Sequence, residues 1–343
     1  MVVYDRVMKS ITDPPEALPS NVTPLKAGQR TWLNRVPAGL FGLCVGLFAF
    51  AGAWRRAEGL GWSYAQAVSL AMGYTAAALL GLLSLLYLLK AVRHFSAVKA
   101  EFNHPLGSSL VAMMPLAYLQ ATAYFASPGQ AIWLEIALLA LAAHAMMSLR
   151  LLPLLTVGGH ETLAITPALY LPPLAGALVG SMALAQLGYT GWAAFLFGVG
   201  LSAWALLELR ILNRLFEGPL PMPMRFTIGL EIAPSAVSVL AATVIWPALP
   251  AEVMVVGLGL AAGPVLAVWA RYKWWSQAPF SAGFWTFVFP LSAITSVVIV
   301  AVHRAGWPHE VAGLALVALT ALVVYLSWRT VVLLIKRKLL PPA

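Results

Sequence analysis

The sequence predicts an all-α membrane protein of ten transmembrane helices paired into five helical hairpins. Three observations carry this. Of 343 residues, 61% are hydrophobic and only 10% are charged, against roughly 25% charged in an ordinary soluble domain. Apolar runs long enough to cross a hydrocarbon core of about 30 Å recur along the chain. Prolines recur inside alternate runs, about once per hairpin.

In chain order, residues 1–32 are polar and contain Lys9, Lys26 and Arg30. They lack the apolar core and cleavage site of a secretory signal, so they are expected to form a cytoplasmic N-terminal tail. Residues 33–338 are expected to form a single ten-helix transmembrane domain, and 339–343 a short C-terminal tail. Helix α1 (36–54) carries Pro37 early, then Gly39, Gly42 and Gly46, and α2 (66–90) runs into the basic pair Lys90 and Arg93. Helix α3 (105–125) opens at His104-Pro105 and contains Pro115; Ser127-Pro128-Gly129 turns it into α4 (131–152). Helix α5 (166–186) contains Pro172-Pro173, and Leu187-Gly188-Tyr189 turns it into α6 (191–213). Helix α7 (223–243) holds Glu231 and Pro234, α8 (251–271) holds Gly263-Pro264, α9 (284–303) holds Phe289-Pro290, and α10 (310–335) has no interior proline. Such short turns make sequential helices antiparallel neighbours.

With ten spans both tails lie on one side. That side, with the loops after α2, α4, α6 and α8, holds 18 of the 21 Lys and Arg residues, leaving Arg55, Arg56 and Arg304 opposite. The positive-inside bias then places both termini in the cytoplasm and the chain in the cytoplasmic (inner) membrane. Tryptophans such as Trp62, Trp133, Trp246, Trp275 and Trp307 fall near span ends, as in an interfacial belt. The net charge of +9 therefore reads as a topology signal, with no nucleic acid implied. Cys44, the single cysteine, lies inside α1 and allows neither a disulfide nor a cysteine metal cluster.

Pro115, Pro172, Pro234 and Pro290 are 57, 62 and 56 residues apart, a period of one helical hairpin. Lipid tolerates an interior proline only where neighbours satisfy the freed carbonyl, so kinked helices belong inside. The expected arrangement is an inner ring of α1, α3, α5, α7 and α9 around a central pore, with the even helices outside. Pro115, Pro172, Pro173, Pro234 and Pro290 would be the pore kinks.

Glu231 lies deep in α7, where an ionisable side chain is costly and marks a functional site by default. Two readings stand: it carries a proton, or it bonds a carbonyl exposed by the kink at Pro234. Glu135 and His144 in α4 are nine residues apart, half a turn out of phase, and each reads as an interhelical polar contact. Glu208 and Arg210 lie near the end of α6, where snorkelling to the interface accounts for them. His104 reads as a helix cap or a contact at a pore mouth. No second histidine or carboxylate has ligand spacing with it, so no metal and no cofactor is expected. The sequence holds no phosphate loop, zincin motif or nucleophile elbow, and no catalytic residues or enzyme activity are expected.

Five segments carry a resemblance: VPAGLFGLCVGLFAFAGAWRRA (36–57), EFNHPLGSSLVAMMPLA (101–117), TPALYLPPLAGALVG (166–180), LPMPMRFTIGLEIAPSAVSVLA (220–241) and FSAGFWTFVFPLSAIT (280–295). They resemble the odd helices of the TehA-like family, which groups bacterial tellurite-resistance proteins, fungal C4-dicarboxylate transporters and the slow anion channels of plant guard cells. The resemblance implies a homotrimer in membrane lipid, each protomer with its own pore of five proline-kinked helices, occluded by a phenylalanine of the ninth. The stretch Trp285 to Pro290 is similar to the family's helix-9 pattern and makes Phe289 the gate; His104-Pro105 matches its His-Pro. The chain departs from many relatives at Ala233-Pro234-Ser235, where two prolines are common, and at Leu169-Tyr170, where tryptophan is usual.

The expected function is a gated pathway for small anions. A lumen without fixed charge along most of the odd helices binds ions weakly and favours anions that shed water easily. The alternative is a proton-coupled C4-dicarboxylate or organic-anion transporter of tellurite-resistance type, with Glu231 as proton carrier. A remote alternative, an intramembrane lipid enzyme, would need clustered Asp, His or Ser near one interface, and the sequence has no such cluster.

Overall fold

A computed structural model describes residues 31–156 and 165–341. The predicted N-terminal tail, apart from its last two residues, lies outside the described residues. Among these residues there are helices and turns and no strand. Nine helices among the described residues are long and apolar enough to cross a membrane: α1 Ala38–Leu60, α2 Ala65–Arg93, α4 Ala131–Leu151, α5 Pro167–Gln186, α6 Thr190–Glu217, α7 Met222–Ile245, α8 Ala251–Ala270, α9 Ala282–Ala305 and α10 His309–Ile335. The chain is a multi-pass membrane protein.

The remaining predicted span is broken. Helix α3 consists of Pro105–Leu110 and Met113–Phe125, and the longer piece, at 1.5 Å per residue, reaches only about 20 Å. Pro115 has no N–H to offer the Val111 carbonyl. The Met114 N–H takes that carbonyl instead at 3.1 Å, one residue tighter than α geometry, and the Ala112 N–H does the same with Ser109 at 3.2 Å. The single continuous helix expected over 105–125 is therefore corrected to two segments joined at a tightened turn.

The other odd helices solve the same problem in another way. Each begins as a tighter helix and becomes α-helical part-way along. In α7 the 3-10 stretch Met222–Ile232 gives way to α-helix at Ala233, and in α9 Ala282–Phe287 gives way at Val288. Helix α5 passes from 3-10 (Pro167–Tyr170) through a π turn (Leu171–Ala175) to α-helix at Gly176. Pro234 and Pro290 thus fall in the first turn of an α segment. They were expected to kink continuous helices; they stand where one helix type replaces another.

Burial alternates along the chain. In the most apolar stretch of each helix, 72%, 89%, 89% and 83% of residues are buried in α1, α5, α7 and α9, against 28%, 17%, 17%, 22% and 28% in the even helices. Helix α1 packs on α3, α3 on α5, α5 on α7, α7 on α9, and α9 back on α1. The last contact needs Gly46, because a Cβ there would lie 3.0 Å from Trp285 Cε3 and 3.1 Å from Val288 Cβ.

At the end where the odd helices begin, Glu101 ties three segments together. Its Oε1 accepts the Ala38 N–H at 2.6 Å, an orphan donor of the first turn of α1. Its Oε2 accepts from Lys90 Nζ at 2.7 Å and from the Tyr87 hydroxyl at 3.3 Å, and Lys90 Nζ also donates to the Val36 carbonyl at 2.7 Å. This is the ion pair among the described residues, and its side chains are 3% and 14% exposed. Glu101→Ala strands a buried ammonium and should destabilise the fold by about 3–5 kcal/mol. Adding Lys90→Met should recover part of that loss. Thermal unfolding in detergent checks both; a double variant that loses the sum of the single effects would contradict the pairing.

Candidate functional site

The later halves of the odd helices surround a cavity of about 210 Å³ to which all five contribute. Its wall takes Phe48, Arg55 and Arg56 from α1, Gln120 and Tyr124 from α3, Met182 and Gln186 from α5, Leu240 and Val244 from α7, and Phe289, Ala293 and Ser296 from α9. Along α9 the three residues are spaced four and three apart, so one helical face lines the cavity. Phe48, Gly52, Arg55 and Arg56 do the same along α1.

Helix register gives the cavity its depth. Gly46 of α1 lies against Trp285 and Val288 of α9, and the two helices run in the same direction. Phe289 is therefore level with the stretch just after Gly46, about eight residues, or about 12 Å at 1.5 Å per residue, below Arg55. Phe289 is buried at the floor, Arg55 is exposed at the rim and Arg56 is half-buried beside it.

The rim arginines are held in place without being neutralised. Arg55 Nη1 donates to the Tyr124 carbonyl at 2.6 Å, with the guanidinium 3.7 Å from the centre of the Tyr124 ring. Arg56 Nη1 donates to the Gly52 carbonyl at 3.0 Å. Tyr124 is fixed in turn, its hydroxyl donating to the Ser69 carbonyl at 2.8 Å. Among the described residues no carboxylate forms an ion pair with either arginine. Each guanidinium has five donors, so most of them remain open to an anion. The floor, by contrast, offers aromatic carbon and no charge.

Glu231 lies elsewhere. It sits two residues before the α segment of α7, 9% exposed, is absent from the wall of the cavity, and its Oε1 has no hydrogen-bond partner. Its charged neighbours are Glu208 and Arg271. Snorkelling does not describe Glu208: its Oε2 accepts from the Tyr170 hydroxyl at 2.6 Å and from Trp204 Nε1 at 2.8 Å. Tyr170 thus ties α5 to α6 through Glu208.

His104 is the cap residue of the first piece of α3, its Nδ1 accepting the Gly107 N–H at 3.1 Å. His144 is buried, with Nδ1 3.1 Å from the Pro172 carbonyl in the π turn of α5. Glu135, expected as a similar contact, is exposed on α4. Of the residues singled out from the sequence, the fold brings Phe289 to the cavity and leaves Glu231 and His104 away from it.

Sequence reasoning missed Arg55 and Arg56, which were counted only as charges on the sparsely basic side. A usable signal was present. Phe48, Gly52 and the two arginines share one face of a helix expected to lie inside, and that side of the protein has only one other basic residue, Arg304.

Residues 35–331 match the SLAC1 family, described as voltage-dependent anion channel. The chain is also similar to the tellurite resistance protein TehA homolog of Haemophilus influenzae, 31% identical over 209 residues, which cover 60% of this chain and 62% of that protein. The chain thus spans about three fifths of the length of this relative.

Proposed function

The chain belongs to the SLAC1 family of voltage-dependent anion channels, and we propose that it is a gated pathway for small anions running through the cavity between its odd helices. In this reading α1, α3, α5, α7 and α9 form an inner ring around a pore, the even helices form an outer ring, and residues 33–338 make one transmembrane domain. One observation carries the proposal: a cavity walled by all five odd helices has two guanidiniums without carboxylate partners at its rim and Phe289 at its floor.

The chemistry follows from the two ends of the cavity. Adjacent cations at a narrow mouth raise the local anion concentration and deter cations. An apolar constriction blocks ions by withholding the groups that would replace their water, and the Phe289 ring can clear it by a change of rotamer. Pro290 follows directly, at the start of an α segment; Pro234 stands likewise in α7, while Pro115, Pro172 and Pro173 face clefts against α4. His104 would lie toward the opposite mouth, where α3 begins. In this reading both termini lie in the cytoplasm, which the charge bias supports, and the protein sits in the inner membrane. As the family resemblance implies, the assembly is a homotrimer in lipid with one pore per protomer. The name of the Haemophilus relative makes tellurite a natural member of an anion series to be tested.

A proton-coupled carrier of dicarboxylates is the second reading, and the unpartnered Oε1 of Glu231 favours it. The position of Glu231 off the cavity wall weighs against it. Liposome flux separates the two. On the channel reading Phe289→Ala raises anion flux severalfold, Glu231→Gln leaves it near wild type, and flux needs no pH gradient. Uptake that needs such a gradient in the wild type and is lost in Glu231→Gln would establish the carrier.

Removing both rim cations, as Arg55→Gln with Arg56→Gln, should lower flux about tenfold at low ionic strength. The deficit should shrink toward about 0.15 M salt, where the Debye length falls to about 8 Å. Equal flux in the double variant and the wild type at low salt would remove the arginines from the pathway.

A further inference from the structure

On the face of α9 turned away from the cavity lies a second space. A cleft of about 590 Å³ opens between α8, α9 and α10, within the roughly 300–1,000 Å³ of small-molecule sites. Its inner wall is the back of α9, where Phe284, Phe287 and Leu291 point away from the face that carries Phe289. Leu266 and Trp269 of α8 stand at its mouth, 67% and 69% exposed.

One charge faces this apolar space. Arg329 of α10 is half-buried in the wall, its Nη1 donating to the Tyr325 hydroxyl at 2.6 Å and its guanidinium 4.7 Å from the Phe280 ring centre. Among the described residues no carboxylate pairs with it. A guanidinium in a membrane wall is costly unless an anion or water reaches it. It sits near the end of the bundle where α8 finishes and Arg271 and Lys273 follow. Trp269 and Trp275 both pack on Tyr272 there, as aromatic residues of a headgroup interface do.

We infer that this cleft is a binding site for an anionic phospholipid, with an acyl chain along the back of α9 and the phosphate on the Arg329 guanidinium. The occupant is specified by complementarity. The apolar wall suits a hydrocarbon chain, and a planar guanidinium with open donors suits a phosphate, which it can hold through two parallel hydrogen bonds. A neutral lipid would satisfy the wall and leave the cation unpaired. The occupied cleft would touch the helix that carries Phe289, on its opposite face.

The test reads bound lipid, so it stands or fails apart from the conduction reading. The full chain is purified, offered phosphatidylglycerol or phosphatidylcholine in detergent, and its lipid adducts are counted by native mass spectrometry. The wild type should retain phosphatidylglycerol over phosphatidylcholine. Arg329→Gln should weaken that retention about fivefold, the factor for roughly one basic residue acting on an anionic lipid. Leu322→Trp keeps the cation but fills the cleft, and should weaken retention as well. Unchanged retention in either folded variant would overturn the site, as would cross-linking through Trp269→Cys that shows a second copy of the chain covering the cleft.

Discussion

In hydrocarbon a backbone N–H or C=O has no water to turn to, and this constraint shapes every odd helix of the protein. Proline removes one donor wherever it stands, and the odd helices carry Pro115, Pro172, Pro173, Pro234 and Pro290. The fold answers by changing helix type. In α3 the Met114 N–H takes the carbonyl that Pro115 cannot serve, and in α7 and α9 the proline falls within the first turn of a new α segment. In α5, where two prolines adjoin, the backbone widens to a π turn and His144 of α4 reaches the Pro172 carbonyl. Pro115, Pro172, Pro173, Pro234 and Pro290 are thus carried by buried helices, whereas Pro264 lies inside the largely exposed α8.

That burial brings five helices together without filling the space between their later halves. The cavity that results has a cationic rim and an aromatic floor, and the proposed anion path rests on that contrast. At the other end the helices are secured by charge: the Glu101 carboxylate holds the first turn of α1 while Lys90 neutralises it and reaches back to the Val36 carbonyl. The two ends use cations in opposite ways. Lys90 is spent on structure, whereas Arg55 and Arg56 are held by neutral carbonyls and keep their charge available.

Much of this was legible in the sequence. Hydropathy located nine spans to within a few residues, because membrane crossing demands a long apolar run, and the proline period singled out the helices that prove to be buried. The break in α3 was not legible, since the same apolar letters fit one helix or two, and only the bonding around Pro115 decides between them. Phe289 was reached through a resemblance, with nothing in composition to separate it from the other phenylalanines. Arg55 and Arg56 were overlooked because a charge count along the chain records side but not direction. Glu208 was misread for a related reason: its partners, Tyr170 and Trp204, include one from another helix, 38 residues away in sequence.

The central claim is that anions cross through the cavity above Phe289, and chemical modification of its wall tests this most directly. Val244 of α7 is half-buried in that wall, whereas Leu266 of α8 opens to the lipid cleft. In a Phe289→Ala background, Val244→Cys and Leu266→Cys are each treated with a negatively charged thiol reagent; the native Cys44 is buried. The account predicts that modification at 244 blocks most of the anion flux and is slowed by permeant anions, while modification at 266 changes flux little. Full modification at 244 with unchanged flux would contradict it.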